Sequence, residues 1–452
     1  MDEKQLRYEF LSVSGESHPG LTFEEYRDSC VFLLFYQYLC LKYEDKLEEC
    51  YRPGALVRMA IRGKLQIPSF LRFIEAASPF IHLADRHFQL TEFSFFKNLQ
   101  KVQLLEKQKS YARFFRKLIK KIDAWDCHEL LLEEYPRLFG ELMGTFARMK
   151  KETYFSEELL SLYRMFFSET VKKPEAVFLP NFEYGLLLQA MMKEGQKDIK
   201  ISGFEEHIGY REIFEILCDM KGIPRSGMTI CSKEEWRGDA LFDSIGIFMP
   251  EGVEGGTLIE AERQPRLVAE TAGSIAKGEL PFLLSALSFL REGGTMVAVV
   301  PGALLYREGR ESQLRRYIVE EKNYLDTAML LPDGMFQSTG QKEVLLLFRK
   351  GRKKKDVLFF DCGETEEFGE EQLRSILLAW RERKTIPGFC SAVTQEVIEE
   401  NEFNLNLPRY ITKTTHLSKV DVEARKKRIK EIDRELLEIE EKILMYKRDL
   451  EM

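Results

Sequence analysis

From about residue 175 to residue 360, short apolar runs alternate with helical stretches, and this constrains the fold more than any other feature of the sequence. The spacing predicts strands at Ala176–Leu179, Ile199–Gly203, Met228–Cys231, Ser244–Phe248, Thr295–Val300, Thr327–Leu331, Val344–Phe348 and Val357–Phe360. Helices are expected between them near Tyr184–Lys193, Tyr210–Met220, Leu280–Leu290 and Glu311–Glu321. Strands without polar alternation are buried on both faces. Interleaved with helices, they form a mostly parallel sheet covered on both sides, an α/β architecture. Ligands of such sheets bind at the carboxyl ends of the strands, where the strand order reverses.

The flanks read differently. Residues 1–150 are expected to be helical: Tyr26, Cys30, Leu33, Leu34, Tyr38 and Leu41 recur at helical spacing behind a Thr22 cap with Glu25 three residues on. A later amphipathic stretch, Leu99–Ile122, carries Lys101, Lys107, Lys109, Arg113, Arg116, Lys117, Lys120 and Lys121 on its polar face. Such a run is either a solvated face or a contact for DNA or a partner. At the other end, Ile429, Ile432, Leu436, Ile439, Ile443, Tyr446 and Leu450 are spaced alternately three and four. That is a heptad seam, and a long helix with a narrow apolar stripe needs a partner helix. The expected division is a helical domain over 1–150, an α/β domain over 151–415 and a coiled-coil-type helix over 416–452. The basic run Arg349–Lys355 is read as a solvated hairpin loop between two strands.

Composition removes several classes of function. The net charge of -7 is unlike that of a chain binding DNA alone, so any DNA contact comes from a local patch or through a partner. The eight cysteines contain no C-x-x-C pair and the six histidines no H-x-x-x-H pair, so no metal site is expected. No P-loop or G-x-S-x-G string occurs. The opening residues MDEKQLRYEF lack the pattern of a signal peptide, and no apolar run approaches the ~18 residues of a membrane span. A cytoplasmic protein with reduced thiols and no membrane partner is expected.

Four segments carry a family resemblance. They are LTFEEYRDSCVFLLFYQYLCLKYEDKLEE from Leu21, PFLLSALSFLREGGTMVAVVPGALLYREGRESQLRRYIVEE from Pro281, LDTAMLLPDGMFQSTGQKEVLLLFRKG from Leu325 and EVIEENEFNLNLPRYI from Glu396. The third resembles a Leu-Pro-x-Gly-x-Phe segment, and the fourth an Asn-Leu-Asn-x-x-Arg-Tyr signature at Asn404, Leu405, Asn406, Arg409 and Tyr410. In order and spacing the chain resembles the modification subunits of type I restriction–modification systems, which are N6-adenine DNA methyltransferases. The resemblance implies an N-terminal helical domain, a Rossmann-like class I methyltransferase domain and a long C-terminal helix. It also implies assembly with a specificity-type subunit, an active modification subunit, or both, with DNA reached through the complex.

Adenine N6 methylation needs three things that can be sought in the chain. A glycine-rich loop lets backbone approach the methionine end of S-adenosylmethionine. An acidic residue after the next strand holds the ribose. An Asn or Asp before Pro-Pro-aromatic receives the extruded adenine. Against the family's Asp-Pro-x-x-Gly-x-Gly-Gly loop the chain offers Leu179, Pro180, Asn181, Phe182, Glu183, Tyr184, Gly185 and Leu186, so only Pro180 and Gly185 match. Phe155 and Ser156 stand where the family has Thr-Pro. Glu205 falls on the ribose-binding position, or else caps a helix dipole. Against Asn-Pro-Pro-Phe the chain has Phe248, Met249, Pro250 and Glu251, of which only Pro250 matches.

The sequence therefore predicts a degenerate cofactor and catalytic site, with Pro180, Gly185 and Glu205 as its vestiges and no bound cofactor. Lys109, Arg113, Arg116, Lys117 and Lys120 are candidate DNA contacts, and Ile432, Leu436, Ile439 and Ile443 candidate partner contacts. Two alternatives stay open. One is an active S-adenosylmethionine-dependent enzyme with an altered motif, its acceptor role taken by Asp239, Asp243 or Glu251. The other is a protein-interaction module with no DNA role.

Overall fold

The computed structural model describes residues 22–43, 48, 53–62, 72, 116, 117, 119, 131–150, 156–180, 185–192, 196–205, 208–232, 235, 236, 240–249, 279–332, 335, 342–363, 365, 368–411 and 434. Helices α1 (Phe23–Lys42), α2 (Pro53–Ile61), α3 (Tyr135–Lys150) and α4 (Glu157–Thr170) precede the sheet. Then come β1 (Ala176–Leu179), α5 (Leu186–Met191), β2 (Lys200–Phe204), α6 (Ile208–Met220), β3 (Met228–Cys231), β4 (Phe242–Phe248), α7 (Glu279–Ser288) and β5 (Leu290–Pro301). The last part holds α8 (Arg310–Arg316), a π-helical turn over Tyr317–Glu321, β6 (Leu325–Leu330), β7 (Glu343–Arg349), β8 (Val357–Asp361), α9 (Glu370–Glu382), β9 (Cys390–Val393) and α10 (Gln395–Glu400).

The nine strands make one sheet in the order β3-β2-β1-β4-β5-β7-β6-β8-β9. Strands β1 to β5 are parallel, β7 runs antiparallel to both β5 and β6, β8 is parallel to β6, and β9 is antiparallel to β8. The mixed α/β expectation holds. All four residues of β1 are buried, and β5 is buried throughout from Thr295 to Pro301. Successive side chains divide between two cores. Val177, Leu179, Phe248, Val297 and Val299 join residues of α1, α3, α4, α5 and α6 on one face. Phe178, Ile245, Ile247, Met296, Ala298 and Val300 join α7 and α8 on the other. Each fully buried Leu, Val or Phe contributes about 1.5–3 kcal/mol.

The hairpin reading of Arg349–Lys355 is corrected. Strands β7 and β8 are not partners, because β6 lies between them, so this basic segment crosses the end of the sheet where β6 and β8 begin. The alternation of apolar runs fixes that two strands exist, not that they pair. Strand β9 and helix α9 were not expected.

Helix α1 lies against α3 and α6: the Tyr38 hydroxyl donates to the carbonyls of Asp219 (3.4 Å) and Met220 (3.3 Å). Of the basic stretch, Arg116, Lys117 and Ile119 are helical, with Ile119 buried and Lys117 exposed; Lys109, Arg113 and Lys120 lie outside the described residues. Contacts divide the chain into units 1–411 and 412–452. In the second, the heptad positions Ile432, Leu436, Ile439 and Ile443 lie outside the described residues.

The Asn404–Tyr410 signature closes the first unit. The Leu405 N–H donates to the Leu305 carbonyl (2.9 Å), the Asn406 N–H to Asn404 Oδ1 (3.0 Å) and the Tyr410 hydroxyl to the Asn404 carbonyl (2.5 Å). The Tyr410 ring stacks on Phe359 of β8, with centroids 4.4 Å apart. Buried Arg315 of α8 reaches the same segment, donating to the carbonyls of Phe403 (2.8 Å), Leu304 (3.1 Å) and Arg307 (2.8 Å). The signature is thus a clasp binding the chain to the sheet.

Candidate active site

The chain moves outward from β1 to β2 and β3, then returns to β4 on the other side of β1, so the order reverses between β1 and β4. Ladder pairs join these strands only at Val177–Ser244 and Phe178–Ile245. Beyond them the strands run on to Leu179 and Phe248 without pairing, which is the crevice in which sheets of this kind bind ligands. Pro180, Gly185, Glu205, Phe248 and Met249, singled out in the sequence, all follow or end strands at this end. Phe182, Glu183, Tyr184, Pro250 and Glu251 lie outside the described residues.

Gly185 begins α5 with φ +70. A Cβ there would lie 2.1 Å from the Phe214 ring of α6, so glycine is demanded by helix packing as well as by backbone conformation. Ser156, at the Thr-Pro position, caps α4: its Oγ accepts from the Leu159 N–H at 3.1 Å. Glu205 follows β2, half-buried. Its N–H donates to the Cys231 carbonyl (3.1 Å) and its carbonyl accepts from Arg211 Nε (2.5 Å), which fixes its backbone at the crevice.

Phe248 is fully buried with Leu179 and Val299, and Met249, also fully buried, donates its N–H to the Val299 carbonyl (2.9 Å). The phenyl ring offers no hydrogen-bond donor or acceptor at the end of β4. Below it, α4 supplies a residue that the sequence did not single out. The Tyr163 hydroxyl donates to the Ile247 carbonyl at 2.6 Å, satisfying a strand group beyond the last β1–β4 pair. Tyr163 is fully buried, and burial pushes its hydroxyl pKa upward. Nothing in the helical spacing distinguishes this tyrosine from an ordinary core residue.

A second unforeseen feature is aromatic. Trp236, in the β3–β4 connection, stacks on Phe178 (5.4 Å, 17°) and Phe242 (6.2 Å, 25°), with Phe204 edge-on at 5.3 Å. It covers the sheet face where the described part of the connection has no helix.

Asp243, named as an alternative acceptor, is excluded by position. Its Oδ2 accepts the N–H groups of Glu175 and Ala176 (2.8 Å each) and its Oδ1 pairs with Arg291 (2.8 Å). It ties together the starts of β1 and β4, about five residues or ~17 Å from the crevice. Asp239 lies outside the described residues. Among the described residues, no group of three or more His, Cys, Asp or Glu side chains could hold a metal ion, and no helix is long and apolar enough to cross a membrane.

Comparisons with known proteins agree with this geometry. The family model for N-6 DNA methylases matches residues 189–419, just over half of the chain. The methylase subunit of the type I restriction enzyme MpnII from Mycoplasma pneumoniae is 30% identical over 172 residues, covering 36% of this chain and 32% of that protein. The MjaVII methylase subunit from Methanocaldococcus jannaschii is 24% identical over 161 residues, covering 33% of this chain and 28% of that protein. The chain thus matches about a third of the length of these curated relatives. In fold it is similar to the methyltransferase subunit of a type I restriction–modification system from Streptococcus thermophilus, at TM-score 0.71 and 16% identity over 91% of this chain and 100% of that one. With its sheet, crevice and clasp, the chain belongs to the N-6 DNA methylase family, among relatives that are methylase subunits of type I restriction enzymes.

Proposed function

We propose that this chain is a catalytically degenerate methylase-type subunit that acts as a scaffold or DNA-binding partner in a type I restriction–modification-like complex. The observation that carries the reading is Phe248. N6 methylation of an extruded adenine needs a polar acceptor at the end of β4, and this side chain is a buried phenyl ring. Those residues do not fit methyl transfer to an amine, and no catalytic step is assigned to them. Leu179, buried where the family carries an acid, supports the same conclusion at the end of β1.

The complex would contain a specificity-type subunit, an active modification subunit, or both, and it would be cytoplasmic. DNA would be engaged through that complex, with Arg116 and Lys117 and their neighbours Lys109, Arg113 and Lys120 as contacts. Isothermal titration of the purified chain with S-adenosylmethionine should give no saturable heat. Micromolar affinity would overturn the loss of the cofactor site.

One observation favours a second reading: Glu205 remains at the crevice with its backbone held from both sides. Under that reading the chain binds S-adenosylmethionine and methylates adenine through an altered motif. Methyl incorporation into adenine-containing DNA by the purified complex, lost on Glu205→Ala, would establish it.

A further inference from the structure

We infer that Lys353, Lys354 and Lys355 form a docking edge for the phosphate backbone of duplex DNA, at the end of the sheet opposite the candidate active site. The inference does not depend on whether the chain has lost methyl transfer. It rests on how this segment is built. The β7–β8 connection reads Arg-Lys-Gly-Arg-Lys-Lys-Lys from Arg349 to Lys355, and it crosses the starts of β6 and β8.

Its backbone is anchored from within. Asn323, itself at φ +51, donates Nδ2 to the carbonyls of Arg352 (3.2 Å) and Lys354 (3.0 Å). The Arg352 guanidinium is buried, pairing with Asp326 at 3.1 Å and donating to the carbonyls of Leu325 and Asp356. Arg383 bonds the same Asp326 (2.8 Å) and Asp356 (2.7 Å). The two aspartates thus neutralise the two buried arginines and hold the loop still. The three lysines remain exposed, with no ion pair described for any of them; exposed Lys322 and Lys384 lie on neighbouring turns. Acidic residues near the loop include Glu396 of α10, in electrostatic contact with Lys355, and Glu292, beside Gly351.

A fixed loop whose exposed tip presents three ammonium groups suits one class of partner. Protein interfaces are anchored by aromatic and arginine residues and are depleted in lysine. Arg352 and Arg383 are turned inward and Arg349 lies over the Trp380 ring, so the exposed tip of the loop, Lys353–Lys355, carries no such anchor. Phosphates need only point charges and release of counterions, which lysines supply. The placement separates this edge from the crevice, so DNA held here would be a second contact for a strand engaged elsewhere in the assembly.

The test uses the full chain and a fluorescein-labelled 30-base-pair duplex of arbitrary sequence, titrated by anisotropy across a salt series. The K353Q/K354Q/K355Q variant should bind at least tenfold more weakly. Its slope of log affinity against log salt should be shallower by about 2–3, since each phosphate contact contributes about 0.9. K353R/K354R/K355R should retain binding, which excludes a folding defect, as should an unchanged melting temperature in the glutamine variant. Binding and slope equal to the parent's in the glutamine variant overturn the proposal. So does displacement of the duplex by poly-glutamate at equal charge concentration, because the edge would then be an acceptor for acidic protein.

Discussion

Phe248 ends β4 with its ring fully buried against Leu179 and Val299, so replacing it with the family's asparagine introduces an amide into hydrocarbon. The ring's packing is lost and the new donor and acceptor find no partners. F248N should therefore cost about 3–5 kcal/mol by urea denaturation, and it should not create methylation on its own. A change within about 1 kcal/mol would mean that this position faces a polar cleft rather than the core. Asp326 gives a prediction of opposite character. Burial pushes its carboxyl up, but Arg352, Arg383 and Arg349 outweigh burial and hold it below the usual carboxylate range. A depressed folded value adds stability that is present above the unfolded value of about 3.9 and is lost as pH falls through the folded one. The parent should therefore lose stability more steeply below about pH 4 than Asp326→Asn, whose own loss at neutral pH is about 3–5 kcal/mol. Parallel pH profiles for the two proteins would contradict this. At this scale the sequence was legible where chemistry is carried by residue type. A phenylalanine cannot accept a hydrogen bond wherever it points, but that its ring joins the core and that Tyr163 bonds the Ile247 carbonyl depend on tertiary placement.

Among the elements, short apolar runs with sharp boundaries were the most readable. The spacing placed β1 and β3 to the residue, because their apolar runs are bounded by Pro180 and Ser232. Strand β5 was read from Thr295, since Gly293 and Gly294 suggest a turn; in the structure it begins at Leu290, with Gly293 at φ +78 inside an irregularity of the ladder. Strand β9 was missed because its four residues leave Ser391 and Ala392 partly exposed, which erases the apolar run. The clasp shows what a signature can mean without chemistry. Glu402 and Phe403 adopt φ +54 and +56, a conformation costing about 1–2 kcal/mol per residue, just before the segment that Leu305 and Arg315 hold. Burial lowers the Arg315 pKa to about 10, and its three carbonyl partners have no other described donor. Arg315→Met should strand them, destabilise the fold by at least about 3 kcal/mol and accelerate hydrogen exchange at the Leu405 amide. An apolar hollow lined by Leu280, Leu304, Ile318 and Leu405 adjoins the segment. If Leu405 keeps its protection, the clasp is held by the Leu305 contact and Tyr410 stacking alone.

At the scale of the molecule, the family resemblance implied a Rossmann-like domain between helical flanks, and the mixed α/β sheet agrees with the first part of that expectation. Periodicity alone could not have placed β7 between β5 and β6 or β8 beside β6. For the tail, periodicity predicts a helix with a partner-seeking seam. Seven apolar residues from Ile429 to Leu450 recur at heptad spacing, and a single helix cannot bury so narrow a stripe on itself. If the chain is a scaffold, this seam is where assembly energy should concentrate. The triple variant Ile432→Asp, Ile439→Asp and Ile443→Asp should fold with an unchanged sheet, since contacts divide the chain at Ile411, yet fail to co-purify with a specificity-type or modification subunit from its native cells. Affinity capture of parent and variant, read by mass spectrometry, measures this. Retention of the same subunits by the variant would place the assembly surface elsewhere and leave the heptad seam without a role in the complex.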